Sequence, residues 1–293
     1  MLKIVSGHSH HGGSTTAFIN LCNLFNKNGI ECVFYGKHEW HLDKCRAARL
    51  TDLSLNHGDS LISHYIHSDS VSDLERRCRC NMKESKIRII RKLSNKMAQW
   101  RTATQLNASV LSCHEKDVFP LKQTNYHFYD QIHFVSDAQR KWHEINHPYF
   151  ICSNVLDDLK PMPGKSPKVA GIVGTIMHNK QVHVSIQRAL DDGMQKILIY
   201  GNVGEEDYYS LEVKPLLEKY PEIIKLMGYC DDKQSIYDSV SHVYHSSISE
   251  TWCYIKGECE LTGIEFHGNA STDGYCYMSN EEIMEMWVKK LNL

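Results

Sequence analysis

The chain has 293 residues, of which 42% are apolar and 23% charged, and its 35 acidic against 33 basic residues give a formal net charge of −2. This composition excludes a disordered chain, and the length allows one large domain or two domains of about 150 residues. No run of residues approaches the roughly 18 apolar residues that span a bilayer. The total charge indicates no polyanionic partner, although it can hide a local charged patch.

The cysteines and the N-terminal residues predict where the protein works. The 11 cysteines are an odd number without a repeated C-x-x-C motif, and the sequence turns polar after its first five residues, unlike a signal peptide. We therefore expect free thiols and a cytoplasmic protein, in the host cytoplasm if a phage encodes it.

In the first half of the chain, apolar runs and turn signals predict alternating strands and helices. A strand is predicted at Leu2–Ser6, a helix from Thr15 to Asn26 that Gly29 ends, and a second strand at Glu31–Tyr35. Further strands are predicted at Ser60–Tyr65, Ser109–Cys113 and Gln131–Val135. This alternation is typical of a parallel sheet that helices cover on both faces.

A proline-rich stretch divides the chain, because three of the seven prolines lie within residues 157–167. Beyond it, strands are predicted at Val169–Val173, Lys196–Tyr200, Ile224–Met227 and Ser241–His245. Helices are predicted at Val182–Asp192, Tyr208–Tyr220, Lys233–Val240 and Asn280–Leu293. We therefore predict two similar α/β domains, residues 1–156 and 168–293, with a hinge at 157–167 and the C-terminal helix in the second domain.

Two motifs could carry chemistry. Gly12-Gly13 stands between the first strand and the first helix, where glycines let the backbone approach a phosphate; a tight turn would explain it equally well. Glu250 and Glu258 are separated by seven residues. If Glu250 lies in a loop after a strand and Glu258 lies on the next helix, both carboxylates can line one pocket. One could then face a reacting sugar while the other binds vicinal hydroxyls.

The stretch from Glu250 to Glu258 resembles the E-x7-E region of retaining glycosyltransferases of the GT-B fold, in which two Rossmann-like domains face a central cleft. Upstream, Gly171–Thr175 and Lys180 are similar to the family's glycine strand and its phosphate-binding Arg and Lys, with Thr175 where the Arg is usual. Ile199–Asn202 and Leu226–Tyr229 are similar to a strand-glycine segment and to the segment that contacts the nucleotide base.

The resemblance implies a hexosyl- or pentosyltransferase that moves a sugar from a nucleotide sugar, UDP-linked, with retention. It implies no metal and no cofactor, the nucleotide sugar being a co-substrate. Glu250 and His114 would lie beside the transferred sugar as catalytic residues, and Glu258 would hold the ribose. The other implied donor-binding residues are Gly12, Gly13, Thr175, Lys180, Gly201 and Tyr229.

Two histidines end predicted strands in the first half of the chain. His64 and His114 follow apolar runs, and open α/β sheets bind ligands at the carboxyl ends of their strands. His114 fits the family's sugar-contacting histidine, and His64 is expected on the acceptor side. Since the chain has 18 histidines, a structural role is the competing interpretation for each.

A basic segment predicts the acceptor. Residues 76–101 carry ten Lys or Arg and one acid, and their apolar residues recur at helical spacing. Its basic face, with Arg88, Arg91 and Lys92, favours a polyanion, either double-stranded DNA or an anionic membrane surface. The chain's size and plan are similar to those of phage enzymes that glycosylate hydroxylated cytosines in DNA, which we take as the acceptor. A membrane lipid or a surface polysaccharide is the alternative acceptor.

Two other classes of protein remain open from the sequence. A GT-B-fold nucleotide-sugar epimerase would convert the donor without any acceptor. A nucleic-acid-binding protein without catalysis would keep the basic segment and have no use for Glu250 and Glu258. No feature of the sequence indicates an obligate protein partner.

Overall fold

The computed structural model describes residues 1–6, 13–36, 43–64, 106–114, 126, 129–161, 168–273, 275 and 277–293. The chain divides into two compact units, unit 1 (Met1–Val155 and Cys276–Leu293) and unit 2 (Leu156–Tyr275). Several residues singled out by the sequence lie outside the described ranges, namely Gly12, the basic segment 76–101 with Arg88, Arg91 and Lys92, and hinge residues 162–167.

Unit 1 contains a parallel sheet of seven strands in the order β3-β2-β1-β4-β5-β6-β7. The strands are β1 (Leu2–Ser6), β2 (Cys32–Gly36), β3 (Ala47–Arg49), β4 (Ser60–His64), β5 (Ala108–Cys113), β6 (Gln131–Phe134) and β7 (Tyr149–Ile151). Its first helices are α1 (Gly13–Lys27) and α2 (Asp137–His143). This is the Rossmann strand order, which reverses between β1 and β4.

Unit 2 contains a second parallel sheet in the order β10-β9-β8-β11-β12. The strands are β8 (Val169–Val173), β9 (Lys196–Tyr200), β10 (Ile224–Gly228), β11 (His242–Tyr244) and β12 (Glu265–His267). The helices are α3 (Val182–Asp191), α4 (Glu206–Tyr208, continued by a π-helical turn at Tyr209–Val213 and by Lys214–Lys219), α5 (Lys233–Asp238) and α6 (Tyr254–Thr262). The strand order reverses between β8 and β11, so unit 2 repeats the Rossmann plan of unit 1.

The last helix, α7 (Asn280–Leu291), belongs to unit 1. Ser279 and Glu282 form a capping box at its start. Its apolar stripe, Ile283, Trp287 and Leu291, is buried in the same core as residues of α1 and the first sheet. The predicted placement of this helix in the C-terminal domain is therefore wrong, because the stripe packs on the first sheet.

The strands β1, β8 and β9 have the bounds that the sequence predicts, and Ser136 caps α2 by accepting a hydrogen bond from the Gln139 amide. Three short strands, β3, β7 and β12, were not predicted. The eight described cysteines form no disulfide. Among the described residues, no helix combines the length and the apolar character needed to cross a membrane.

Candidate functional site

The loops after β8 and β11 lie side by side at the carboxyl edge of the second sheet. The Asn179 carbonyl accepts hydrogen bonds from the Ile248 amide at 2.8 Å and the Ser247 hydroxyl at 3.1 Å. A crevice opens where the strand order of such a sheet reverses, because the connections on its two sides run to opposite faces. The topology therefore brings Lys180, which follows β8, and Glu250, which follows β11, to the same crevice.

The Glu250 carboxylate is held by two side chains. Its Oε1 accepts from Lys180 Nζ at 2.5 Å and lies 2.9 Å from His245 Nε2, and the side chain is 12% exposed. Burial acts to raise the pKa of Glu250, but the hydrogen bond from His245 and the charge of Lys180 outweigh it and lower the pKa to about 2. Glu250 is therefore a carboxylate at neutral pH.

The contact with His245 predicts a lowered pKa for Glu250, which NMR can test. We expect the Glu250 carboxyl carbon to show no titration in NMR between pH 7 and pH 4, because its pKa lies well below the ordinary 4.5. His245→Ala should raise this pKa, since it removes the hydrogen bond. The charged carboxylate stabilises the fold above the unfolded pKa, and that contribution is lost as the pH falls through about 2.

The signal is assigned by its disappearance in Glu250→Gln, and His183→Gln serves as the control because His183 contacts Tyr208 instead. A wild-type midpoint near 4.5 would contradict the arrangement.

Glu258 lies on α6 and is 3% exposed. Its Oε1 accepts from Lys233 Nζ at 2.6 Å and its Oε2 accepts from the Tyr237 hydroxyl at 2.5 Å, both from α5. Lys233 also pairs with Asp157 at 2.5 Å. Burial acts to lower the pKa of Lys233, but the two carboxylates raise it above its ordinary value. Each Glu258 oxygen already accepts one hydrogen bond and has a second acceptor position, so the implied ribose contact stays a prediction.

Position 201 must be glycine because the backbone there passes very close to the backbone at Gly174. It follows β9 with φ +156°, and a Cβ there would lie 1.9 Å from the Gly174 carbonyl oxygen. The Gly174 amide in turn donates to the Tyr200 carbonyl at 2.8 Å. Only glycine lets these two loops meet, which brings Thr175, the next residue after Gly174, to the same edge of the sheet.

The remaining implied donor-binding residues lie at strand ends. Tyr229 follows β10, is 57% exposed and donates its hydroxyl to Asp231 at 2.8 Å. The carboxyl edge of the second sheet therefore holds five of the implied site residues, namely Thr175, Gly201, Tyr229, Lys180 and Glu250. Gly13 is the first residue of α1 and belongs to unit 1.

In unit 1, His64 and His114 lie at the carboxyl ends of β4 and β5, as the sequence predicts. Their ring centroids are 5.5 Å apart, and the ring of His114 lies edge-on to Phe18 at 4.6 Å. His64 is 2% exposed and its Nδ1 lies 3.2 Å from Ser6 Oγ. The pair therefore stands beside the point where the order of the first sheet reverses.

A third histidine, His133, fixes the tautomer of His114. His133 is buried, and its Nε2 lies 2.9 Å from the Cys152 carbonyl, to which it must donate. Burial lowers the pKa of His133 to about 4, so the ring is neutral and its Nδ1 accepts from Ser112 Oγ at 2.8 Å. Ser112 Oγ is then left to accept from His114 Nε2 at 3.0 Å. A neutral His114 therefore carries its proton on Nε2 and a lone pair on Nδ1.

No family model matches the sequence, and no curated protein matches it. Solved structures do resemble it. HepE of Anabaena, solved with UDP-glucose, superposes with a TM-score of 0.63 at 12% identity, covering 99% of this chain and 88% of HepE. A glycosyltransferase of Rickettsia africae gives 0.62 at 12% identity over 93% and 79% of the two chains. The lipopolysaccharide outer core galactosyltransferase WaaB gives 0.57 at 14% identity over 100% and 89%.

The chain has the GT-B fold. The predicted fold class is thus confirmed, and both GT-B units have the Rossmann strand order described above. The sequence analysis missed two residues that contact the candidate glutamates, His245 and Lys233. The position of His245 at the end of a predicted strand was a usable signal. Lys233 gave none, since 25 residues separate it from its partner Glu258.

Proposed function

We propose that the chain is a glycosyltransferase that binds a nucleotide sugar, UDP-linked, at the carboxyl edge of the second sheet. The observation that carries the proposal is the group Lys180, Glu250 and His245 at the strand-order reversal of a chain with the GT-B fold. A cation and a carboxylate at this place suit a donor that presents a diphosphate on one side and sugar hydroxyls on the other.

In this proposal the diphosphate competes with Glu250 for Lys180. The ammonium group neutralises the leaving group, where negative charge develops during transfer. Glu250, released from Lys180 and still oriented by His245, accepts hydrogen bonds from the sugar. Glu258 accepts hydrogen bonds from the ribose hydroxyls, and the family resemblance supports retention of the anomeric configuration.

UDP-hexoses are the first donors to test, because HepE was solved with UDP-glucose and WaaB is a galactosyltransferase. We expect the purified chain to bind UDP-glucose or UDP-galactose in calorimetry and to release UDP slowly without an acceptor. ADP- and GDP-linked hexoses serve as matched controls for the base. Binding to none of these donors would overturn the proposal, whereas interconversion of the two UDP-hexoses without transfer would identify an epimerase.

Lys180→Ala is expected to weaken UDP binding by about 10- to 150-fold, the equivalent of a lost charged hydrogen bond of roughly 1.5–3 kcal/mol. Calorimetry with UDP alone measures this loss, because UDP carries the diphosphate without the sugar. Lys196→Ala is the control, since Lys196 opens β9 at the opposite, amino end of the same sheet. Equal UDP affinity in Lys180→Ala and wild type would remove Lys180 from the phosphate site.

For the acceptor we propose a polyanion, with hydroxymethylated cytosine in duplex DNA tested first. The support is the basic segment 76–101, which lies outside the described residues. A surface polysaccharide is the second candidate, because WaaB is named for lipopolysaccharide. Each acceptor is incubated with the donor that binds, and the products are analysed by mass spectrometry. Sugar on the modified nucleoside supports DNA, and sugar on the glycan alone excludes it.

A further inference from the structure

Three side chains with metal-binding atoms converge at the β12 end of the described second sheet, next to His245 but apart from the Lys180–Glu250 contact. His242 lies on β11, and Glu265 and His267 lie on β12, the edge strand. The two strands are parallel, with His242 paired to Glu265 and Tyr244 paired to His267. Since side chains alternate between the faces of a sheet, this register places all four on one face.

The ligand atoms lie at distances that one shared cation can bridge. His242 Nδ1 lies 3.1 Å from His267 Nε2, within hydrogen-bond range, and 3.4 Å from Glu265 Oε2, whereas His267 Nε2 lies 3.4 Å from the other carboxylate oxygen, Oε1. Hydrogen bonds to oxygen have lengths of about 2.7–3.2 Å, so the carboxylate is too far from both rings for an ordinary one. Ligands at about 2.0–2.1 Å from a tetrahedral zinc ion are about 3.3–3.4 Å from one another, close to all three distances.

The scaffold holds the ligands in place. The ring of His267 stacks on Tyr244 with centroids 4.4 Å apart and planes 5° apart, and the Tyr244 hydroxyl donates to Asp192 at 2.7 Å. Glu265 is 64% exposed, so a fourth position is open to water. Two imidazoles and one carboxylate with an open position are a ligand set that zinc uses in proteins.

We propose that His242, Glu265 and His267 bind a divalent transition-metal ion, zinc fitting best, which ties the edge strand β12 to β11. The metal site is independent of the proposed glycosyltransferase activity. Its ligand atoms come from no side chain of the Glu250 group, although the His245 amide donates to the His267 carbonyl at 3.0 Å.

Cobalt and zinc are the probes. The full chain, stripped with a chelator, is titrated with Co²⁺ and then with competing Zn²⁺. We expect one ion per chain, with visible absorption bands of a four- or five-coordinate cobalt site and without the near-ultraviolet bands of sulfur ligands. His242→Gln and His267→Gln should each weaken binding by more than about 100-fold, because even outer-shell partners of metal ligands contribute 10- to 100-fold.

Glu265→Gln is the variant that protects the test against misfolding, because this side chain is exposed and the change keeps its shape. It should weaken zinc binding at least about 10-fold and reduce the rise in Tm that zinc gives the wild type. His183→Gln changes a half-buried histidine of the same unit that contacts Tyr208 instead, and it should bind like wild type. Each of three results would overturn the proposal. These are sulfur-to-cobalt absorption bands, an unchanged zinc affinity in both Glu265→Gln and His267→Gln, and no ion bound by the wild-type chain.

Discussion

Glu250→Gln is expected to lower the rate of sugar transfer by about 10²- to 10³-fold, the usual loss when one group that stabilises a transition state electrostatically is removed. The substitution keeps the shape of the side chain and its contact with His245 but removes the negative charge that faces Lys180. Donor binding should change much less than the rate, because Lys180 remains free to hold the diphosphate. Steady-state kinetics with the donor that binds and the acceptor that receives sugar in the experiments proposed above separate the two effects.

The control for this variant is Glu260→Gln, on the exposed face of α6, which removes the same charge from the same part of the chain. It should transfer sugar at the wild-type rate. If Glu250→Gln retained a third of the wild-type rate, Glu250 would not be at the reacting sugar. If its UDP affinity fell as steeply as its rate, Glu250 would serve the nucleotide rather than the transfer.

Trp287→Ala is expected to destabilise unit 1 by about 3–5 kcal/mol, the range for aromatic residues removed from a core. Trp287 is 1% exposed, and its ring lies 4.8 Å from that of His133 and 5.1 Å from that of Phe150. It also lines a small pocket together with Phe18 and His133, and truncation to alanine would enlarge that space. Denaturant unfolding measures the loss.

Hydrogen exchange locates the effect of Trp287→Ala. Amides of β4 and β5 should lose protection, because α7 packs against the core that these strands share. Trp142→Ala, which removes a tryptophan that is 44% exposed in the same unit, should cost less than about 0.5 kcal/mol. Equal stability of the two variants would show that α7 contributes little to the core of unit 1.

The sequence predicted those elements whose pattern is local. The bounds of β1, β8 and β9 follow from short, mostly apolar runs, which strands buried on both faces require. The strands β3, β7 and β12 each have three residues with at least two of them partly or fully exposed, so they lack such a run. These three strands form because they pair with neighbouring strands, which their own residues do not reveal.

The same distinction applies to the candidate site. The positions of Lys180 and Glu250 after strands could be inferred from turn and strand patterns, and the two loops meet because β8 and β11 are neighbours. The partners of Glu258 could not be inferred, because 25 residues separate Lys233 from it and either could have faced solvent. An amphipathic helix likewise shows which face is apolar and not which sheet will cover that face, so α7 was assigned to the wrong domain.

The division of the chain has a consequence for biosynthesis. Unit 2 is one continuous segment, whereas unit 1 is completed by α7, which the ribosome makes after all of unit 2. Domains fold as units during synthesis, at about 5–20 residues per second. Unit 2 can therefore close its core before the part of the first core that α7 covers is completed by Trp287. For several seconds of synthesis, that apolar surface of the nascent N-terminal half is open to other chains and to chaperones.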